Sequence, residues 1–229
     1  MSERRPRSLL PRRRRAAAIA LVLAVLALAG AACGDRASTG AGPSPQGAMS
    51  PGGWSGAQVT PAIHKPDVTL VDSSGAPFSL RRATDGYVTL LYVGYTHCPD
   101  VCPLQMATVA SALKKVPPDV AAKIKVVFLT ADPARDTPAH LREWLDRFNP
   151  SFIGLTGSQA AIGAALKALY MAPVQKEDLG GGNYGVSHAA YVLAFTTDDL
   201  AHLIYPEGVT ADDWARDLEK LVRRGWTDQ

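Results

Sequence analysis

Cys98 and Cys102 stand in the run Thr96-His97-Cys98-Pro99-Asp100-Val101-Cys102-Pro103, with three residues between them. Thioredoxin-type redox motifs hold two residues there. With three, the sulfurs can share one side of a turn and hold an ion between them. A disulfide is also feasible, because Cys98 lies in a loop and is not held at helical spacing. The pair therefore has three uses: a structural disulfide, common in exported domains, a redox couple, or the sulfur part of a metal site. Pro103 suits the first turn of a helix, which puts Cys102 near the N-cap. Free N–H groups and the helix dipole there favour a thiolate, which serves both disulfide exchange and soft-metal ligation. Two thiolates leave a metal site incomplete.

The candidate third ligand is His188, at the end of Gly180-Gly181-Gly182-Asn183-Tyr184-Gly185-Val186-Ser187. Four glycines in residues 180–185 would let His188 swing in to clamp an ion and out to release it. A Cys2His set is soft and low-coordinate, and soft thiolates favour Cu(I) over hard cations. Zinc is the rival, since Cys2His plus water is a catalytic zinc set, but no Glu is placed as its general base. A single His is more often a surface or capping residue than a ligand, and His64, His140 and His202 take that reading. His97, beside Cys98, points to the other side if the strand continues. Asp132-Pro133-Ala134-Arg135-Asp136-Thr137 could orient a ligand or meet a basic partner, and helix capping by Asp136 or Thr137 explains much of the same pattern.

The elements that must position these groups alternate strand and helix. Residues 67–71 and 78–80 flank Ser73-Ser74-Gly75 as a hairpin. Residues 89–95 (TLLYVGY) and 124–130 read as buried strands. Residues 103–116 read as a helix with Met106, Val109, Ala110 and Leu113 on one face. Leu141, Trp144, Leu145 and Phe148 follow amphipathic helical spacing behind Thr137 as N-cap and Pro138. Residues 158–170 repeat the pattern. Residues 190–196 and 201–205 are strands joined at Asp198-Asp199, and Thr210 with Asp213 opens a last helix carrying Trp214, Leu218, Leu221 and Val222. The fold class is α/β: a thioredoxin-like sandwich, with a central mixed sheet flanked by helices and an added N-terminal β-hairpin. The cysteine turn then lies at the carboxyl end of a strand, where ligand sites gather. In such a fold the loop before the late strand packs against that turn.

Charge is distributed unevenly. Lys and Arg total 24 against 21 Asp and Glu, a net charge of +3, but residues 1–32 hold seven Arg and one Glu. The remainder has 17 basic and 20 acidic residues, which gives no electrostatic case for nucleic acid. The basic head and the apolar run 16–32 have the form of a secretory signal. Cys33 after Gly30-Ala31-Ala32 resembles a bacterial lipobox, in which the thiol is acylated; an uncleaved signal anchor is the alternative. From 34 to 58, 18 of 25 residues are Gly, Ala, Ser or Pro, too little apolar surface to offset ordering. The expected organisation is a lipoprotein-type signal peptide at 1–32, a lipid-anchored flexible linker at 33–60, and a thioredoxin-like copper-binding domain at 61–226. Its location is the extracytoplasmic face of the cell membrane.

The Cys-Pro-Asp-Val-Cys-Pro core, followed by Asp-Pro-Ala-Arg-Asp-Thr at 132–137 and the late His188, resembles the Sco/SenC family of copper chaperones over roughly residues 61–224. The resemblance implies copper held by Cys98, Cys102 and His188. It also implies help in building the dinuclear copper centre of cytochrome c oxidase, by delivering copper, by reducing that subunit's cysteines, or both. The implied partner is the copper-containing subunit of that oxidase or another exported cuproprotein. The alternative function is a thiol–disulfide oxidoreductase using Cys98 and Cys102. Two departures stand out: Ser187 replaces the Asp that often precedes the ligand His, and Thr197-Asp198-Asp199 replaces a glycine-containing turn.

Overall fold

Strand β4 (Val88–Gly94) is buried along its whole length, as its unbroken apolar sequence requires when both faces of a sheet are covered. A computed structural model of the protein, which describes residues 52–226, places β4 at the centre of an eight-stranded mixed sheet. On one side β4 pairs in parallel with β5 (Ile124–Thr130), and β5 with β6 (Ile153–Thr156). On the other it pairs antiparallel with β9 (Tyr191–Phe195), followed by β10 (Leu200–Pro206) and β1 (Ala57–His64). The expected hairpin is β2 (Thr69–Asp72) with β3 (Pro77–Ser79), which joins the far edge through β6. Along β10 burial alternates residue by residue, the period of a half-buried strand.

The helices follow their sequence signals. After the short α1 (Leu80–Ala83), α2 (Val101–Lys115) connects β4 to β5, with α3 (Pro118–Ala121) as a final turn. Helix α4 (Pro138–Asp146) starts as expected, with the Thr137 hydroxyl accepting from the His140 N–H and Pro138 at its first position. Helix α5 (Gln159–Ala168) is capped the same way by Ser158. Helix α6 (Ala211–Arg224) buries Trp214, Leu218 and Leu221 and packs on α2. Its Thr210 and Asp213 form the reciprocal cap. The fold is the thioredoxin-like α/β sandwich expected from the element order.

Two expectations need correction. The linker assigned to 33–60 ends earlier: Trp54 is buried, and β1 begins at Ala57 and pairs with β10. Gly56, just before β1, has no room for a side chain because the ring of Tyr205 lies about 3.0 Å from where its Cβ would stand. The second concerns the glycine-rich segment, which forms a hairpin of β7 (Lys176–Gly180) and β8 (Asn183–Val186). Gly180, Gly181 and Gly182 all have positive φ, the reason its tip is glycine. Every residue of β7 is exposed, so no apolar periodicity announced it. Cys33 and the segment 1–51 lie outside the described residues. Among the described residues no helix is long and apolar enough to cross a membrane.

Candidate metal centre

Gly94 and Thr130 are in register at the carboxyl ends of β4 and β5, so the loops that follow them are neighbours. After β4 the chain turns through Tyr95 to Cys98, whose N–H donates to the Tyr95 carbonyl. Asp100 then caps α2 by accepting from the Val101 N–H. Cys102 is therefore the second residue of the helix, close to the position expected from Pro103. Both cysteines are buried and both are free thiols.

His188 arrives from the opposite side of β4, on the segment between β8 and β9. Its Nε2 lies 3.5 Å from Cys102 Sγ. Cys98, Cys102 and His188 bring their ligand atoms within 4.8 Å of one another. The convergence that the sequence required of three separate segments is thus present. The imidazole sits edge-on to the rings of Tyr92 and Tyr95. Its Nδ1 faces the Ala189 carbonyl at 3.4 Å. A carbonyl only accepts, so this contact places the ring proton on Nδ1 and turns the Nε2 lone pair toward the sulfur. Ser187 takes no part in this: its hydroxyl accepts from the Gln175 N–H, holding the hairpin base. The backbone carbonyl supplies the orienting contact that an acidic side chain could otherwise give.

The electrostatics depart from the expectation of a thiolate at the helix start. Burial pushes the Cys102 thiol up to about 12, and the helix N-terminus does not overcome it. A cation would have to displace that proton, as any thiolate site requires. Burial likewise lowers the His188 pKa, favouring the neutral ring that can ligate. Tyr92, whose hydroxyl donates to Cys102 Sγ at 3.5 Å, is pushed well above its usual value by burial and the neighbouring sulfur. The donor set is two buried sulfurs and one half-buried neutral imidazole, which fits a soft, low-coordinate ion.

The acids of the second loop are internal. Asp132 and Asp136 are fully buried, so neither meets a partner, and Thr137 alone caps α4. Asp136 accepts from the Thr96 N–H at 3.1 Å, the Thr96 hydroxyl at 2.5 Å and the Thr130 hydroxyl at 2.6 Å. It thereby fixes the start of the cysteine turn to the end of β5. Asp132 pairs with Arg135 and accepts from the Tyr184 hydroxyl at 3.0 Å. Arg135 lies 3.6 Å over the Tyr184 ring, and Lys176 stacks on it at 4.1 Å. This clasp ties the hairpin before His188 to the loop after β5. Tyr184 and Tyr92 carried no sequence signal beyond their neighbourhood. His97 turns toward Thr96 and away from His188, as expected, whereas His140 is not a bystander: its Nε2 lies 3.0 Å from Thr96 Oγ1.

A thioredoxin-like sheet with two free thiols and an imidazole converging at the end of its central strand defines the class: a thiol–imidazole protein of the thioredoxin-like fold. The SCO1/SenC family model matches residues 57–223, and the chain belongs to that family. The mitochondrial SCO1 homolog 1 of Arabidopsis thaliana is 36% identical over 161 residues, covering 66% of this chain and 47% of that protein. Among solved structures, Bradyrhizobium japonicum ScoI with copper bound is 30% identical with a TM-score of 0.63, covering 69% of this chain and 99% of that one. Apo Sco1 from Thermus thermophilus is 32% identical with a TM-score of 0.65, covering 76% and 99%. The chain spans 47–60% of the length of curated relatives that it matches.

Proposed function

We propose that this chain is a copper carrier that takes up the ion as cargo through Cys98, Cys102 and His188. It then passes the ion by ligand exchange to the dinuclear copper centre of cytochrome c oxidase or to another exported cuproprotein. The observation that carries this reading is the 3.5 Å approach of His188 Nε2 to Cys102 Sγ, with Cys98 in the same group. A disulfide needs no imidazole there, and a hard cation would need oxygens. The copper-bound relative among the solved structures supports the choice of ion. Residues 1–32 are the lipoprotein-type signal, Cys33 is the acylated anchor, and the stretch that follows tethers the domain at the extracytoplasmic face.

A second reading is favoured by one observation: Cys98 and Cys102 are both free thiols within one turn. They would then reduce the cysteines of the same client, with His188 a neighbour only. His188→Ala separates the two. On the carrier reading it lowers copper affinity ten-fold or more and leaves reduction of a disulfide-bonded peptide largely intact. Unchanged copper retention in that variant would sink the three-ligand reading.

A further inference from the structure

A second convergence of ligating groups lies on the same turn. His97 is the third residue after β4, His140 is the third residue of α4, and Asp136 precedes that helix. Their ligand atoms lie within 4.8 Å of one another. The two imidazole rings are 5.6 Å apart between centroids. Both aim a nitrogen at one atom, Thr96 Oγ1: His97 Nδ1 at 3.1 Å and His140 Nε2 at 3.0 Å. That hydroxyl gives its single proton to Asp136 Oδ1, so it receives from both rings.

The carboxylate has room for one more contact. A carboxylate offers about four acceptor positions. Asp136 fills three, with the Thr96 N–H and Thr130 hydroxyl on Oδ2 and the Thr96 hydroxyl on Oδ1. The remaining position is on Oδ1, the oxygen 3.8 Å from His97 Nδ1. With bonds of roughly 2.0–2.1 Å, donors of a tetrahedral site stand about 3.3–3.4 Å apart. The separation between His97 Nδ1 and Asp136 Oδ1, 3.8 Å, is a few tenths of an ångström beyond that edge length, and all three ligand atoms lie within 4.8 Å of one another. Thr96 Oγ1, 2.5 Å from Asp136 Oδ1, is too close to that oxygen to be a fourth donor and acts as the hydrogen-bonded brace of the carboxylate. Asp136 is fully buried and fixed, whereas the His97 side chain is 46% exposed and free to close onto an ion from solvent.

We propose that His97, His140 and Asp136 form a second metal site, distinct from the cysteine group, that takes a divalent ion of borderline softness. Two imidazoles and one carboxylate, without sulfur, suit Cu(II) and Zn(II), with Cu(II) the tighter by the general order of divalent affinities. Cu(I) is left to the sulfur-bearing group. The two sites share one loop yet have opposite softness. Binding at this one needs each ring nitrogen to present its lone pair in place of the proton it now gives Thr96.

The test uses the full-length chain carrying Cys98→Ser, Cys102→Ser and His188→Ala, titrated with Cu(II) chloride and with Zn(II) chloride by calorimetry. One equivalent of Cu(II) is expected, with nitrogen hyperfine structure from two imidazoles in its electron paramagnetic resonance. Adding His97→Ala or His140→Ala should lower the affinity at least ten-fold each, while adding His64→Ala should not. Lack of a saturable equivalent, or equal loss with His64→Ala, overturns the site. If that background does not fold, the unaltered chain serves: it should bind one more equivalent of Zn(II) than the His97→Ala/His140→Ala variant, and equal stoichiometry is again fatal.

Discussion

A Cβ on Gly94 would lie 2.9 Å from the Cys102 sulfur, closer than real Cβ contacts come. The rings of Tyr92 and Phe128 close the same space at 2.8 and 3.1 Å. The last residue of β4 is therefore glycine because a sulfur from the next helix occupies the volume of its side chain. Gly94→Ala should overpack this spot and cost about 1–3 kcal/mol, read by urea denaturation. Because the displaced group is the sulfur, copper affinity should fall at least ten-fold in a competition assay. Lost stability with unaltered copper affinity would show that the sulfur's position is not what sets retention.

The clasp on the hairpin gives a second expectation. Tyr184→Phe removes the hydroxyl that donates to Asp132 but keeps the ring on which Arg135 and Lys176 stack. One such hydrogen bond contributes about 1 kcal/mol. Amides of residues 176–186 should then exchange about five-fold faster, since about 1.4 kcal/mol is ten-fold. Amides of β4 and β5 should be unchanged. Tyr184→Ala should loosen the hairpin further and speed copper release. Uniform acceleration across the sheet would mean that the clasp supports the whole fold and not the hairpin alone.

Much of this is legible in the amino-acid sequence. Buried parallel strands betray themselves as apolar runs, and β5 matches its expected bounds, Ile124–Thr130. The caps at Thr137 and Thr210 follow from residue type and spacing. The Cys98, Cys102 and His188 grouping was legible because soft ligands are few in this chain and the fold fixes where its strand ends meet. What the sequence hid was tertiary. Asp136 looked like a cap because caps and buried acids use the same residues beside the same helix starts. The hairpin 176–186 has no apolar face to report itself, and the partnership of His97 with His140 depends on a threonine 44 positions away from the latter.

The turn Asp198-Asp199 shows how a non-glycine residue fills a glycine's place. Asp199 has φ of 62°, in the left-handed region that Asp tolerates better than most. Its carboxylate holds Lys65 at 2.7 Å, and the Lys65 side chain is fully buried. Asp199→Gly would relieve the backbone yet remove the charge partner of a buried ammonium that otherwise donates to the Thr84 carbonyl at 3.3 Å. Breaking a buried pair costs about 3–5 kcal/mol, which exceeds the backbone relief of about 1–2 kcal/mol. The variant should be clearly destabilised in urea, and adding Lys65→Met should recover most of the loss. A neutral single variant would mean that water reaches Lys65.

Asp198, next door, gives the acid-side expectation. Burial raises its pKa, but the Thr196 hydroxyl, the His202 ring and the Leu200 N–H outweigh burial and hold it below the usual carboxylate range. His202 Nε2 lies 2.8 Å away, and its ring stacks on Trp226 at 4.7 Å. A carboxylate with a lowered folded pKa adds stability that is fully present above its unfolded value of about 3.9 and is lost as pH falls through the folded one. Asp198→Asn should therefore be less stable than the unaltered chain at pH 5.5, and the gap should close as pH is taken to 2.5. The gap is read from urea midpoints of both proteins at each pH. A gap that stays constant or widens on acidification would mean the folded carboxylate is not held in its charged form, and the turn would owe its order to the backbone and to Lys65 alone.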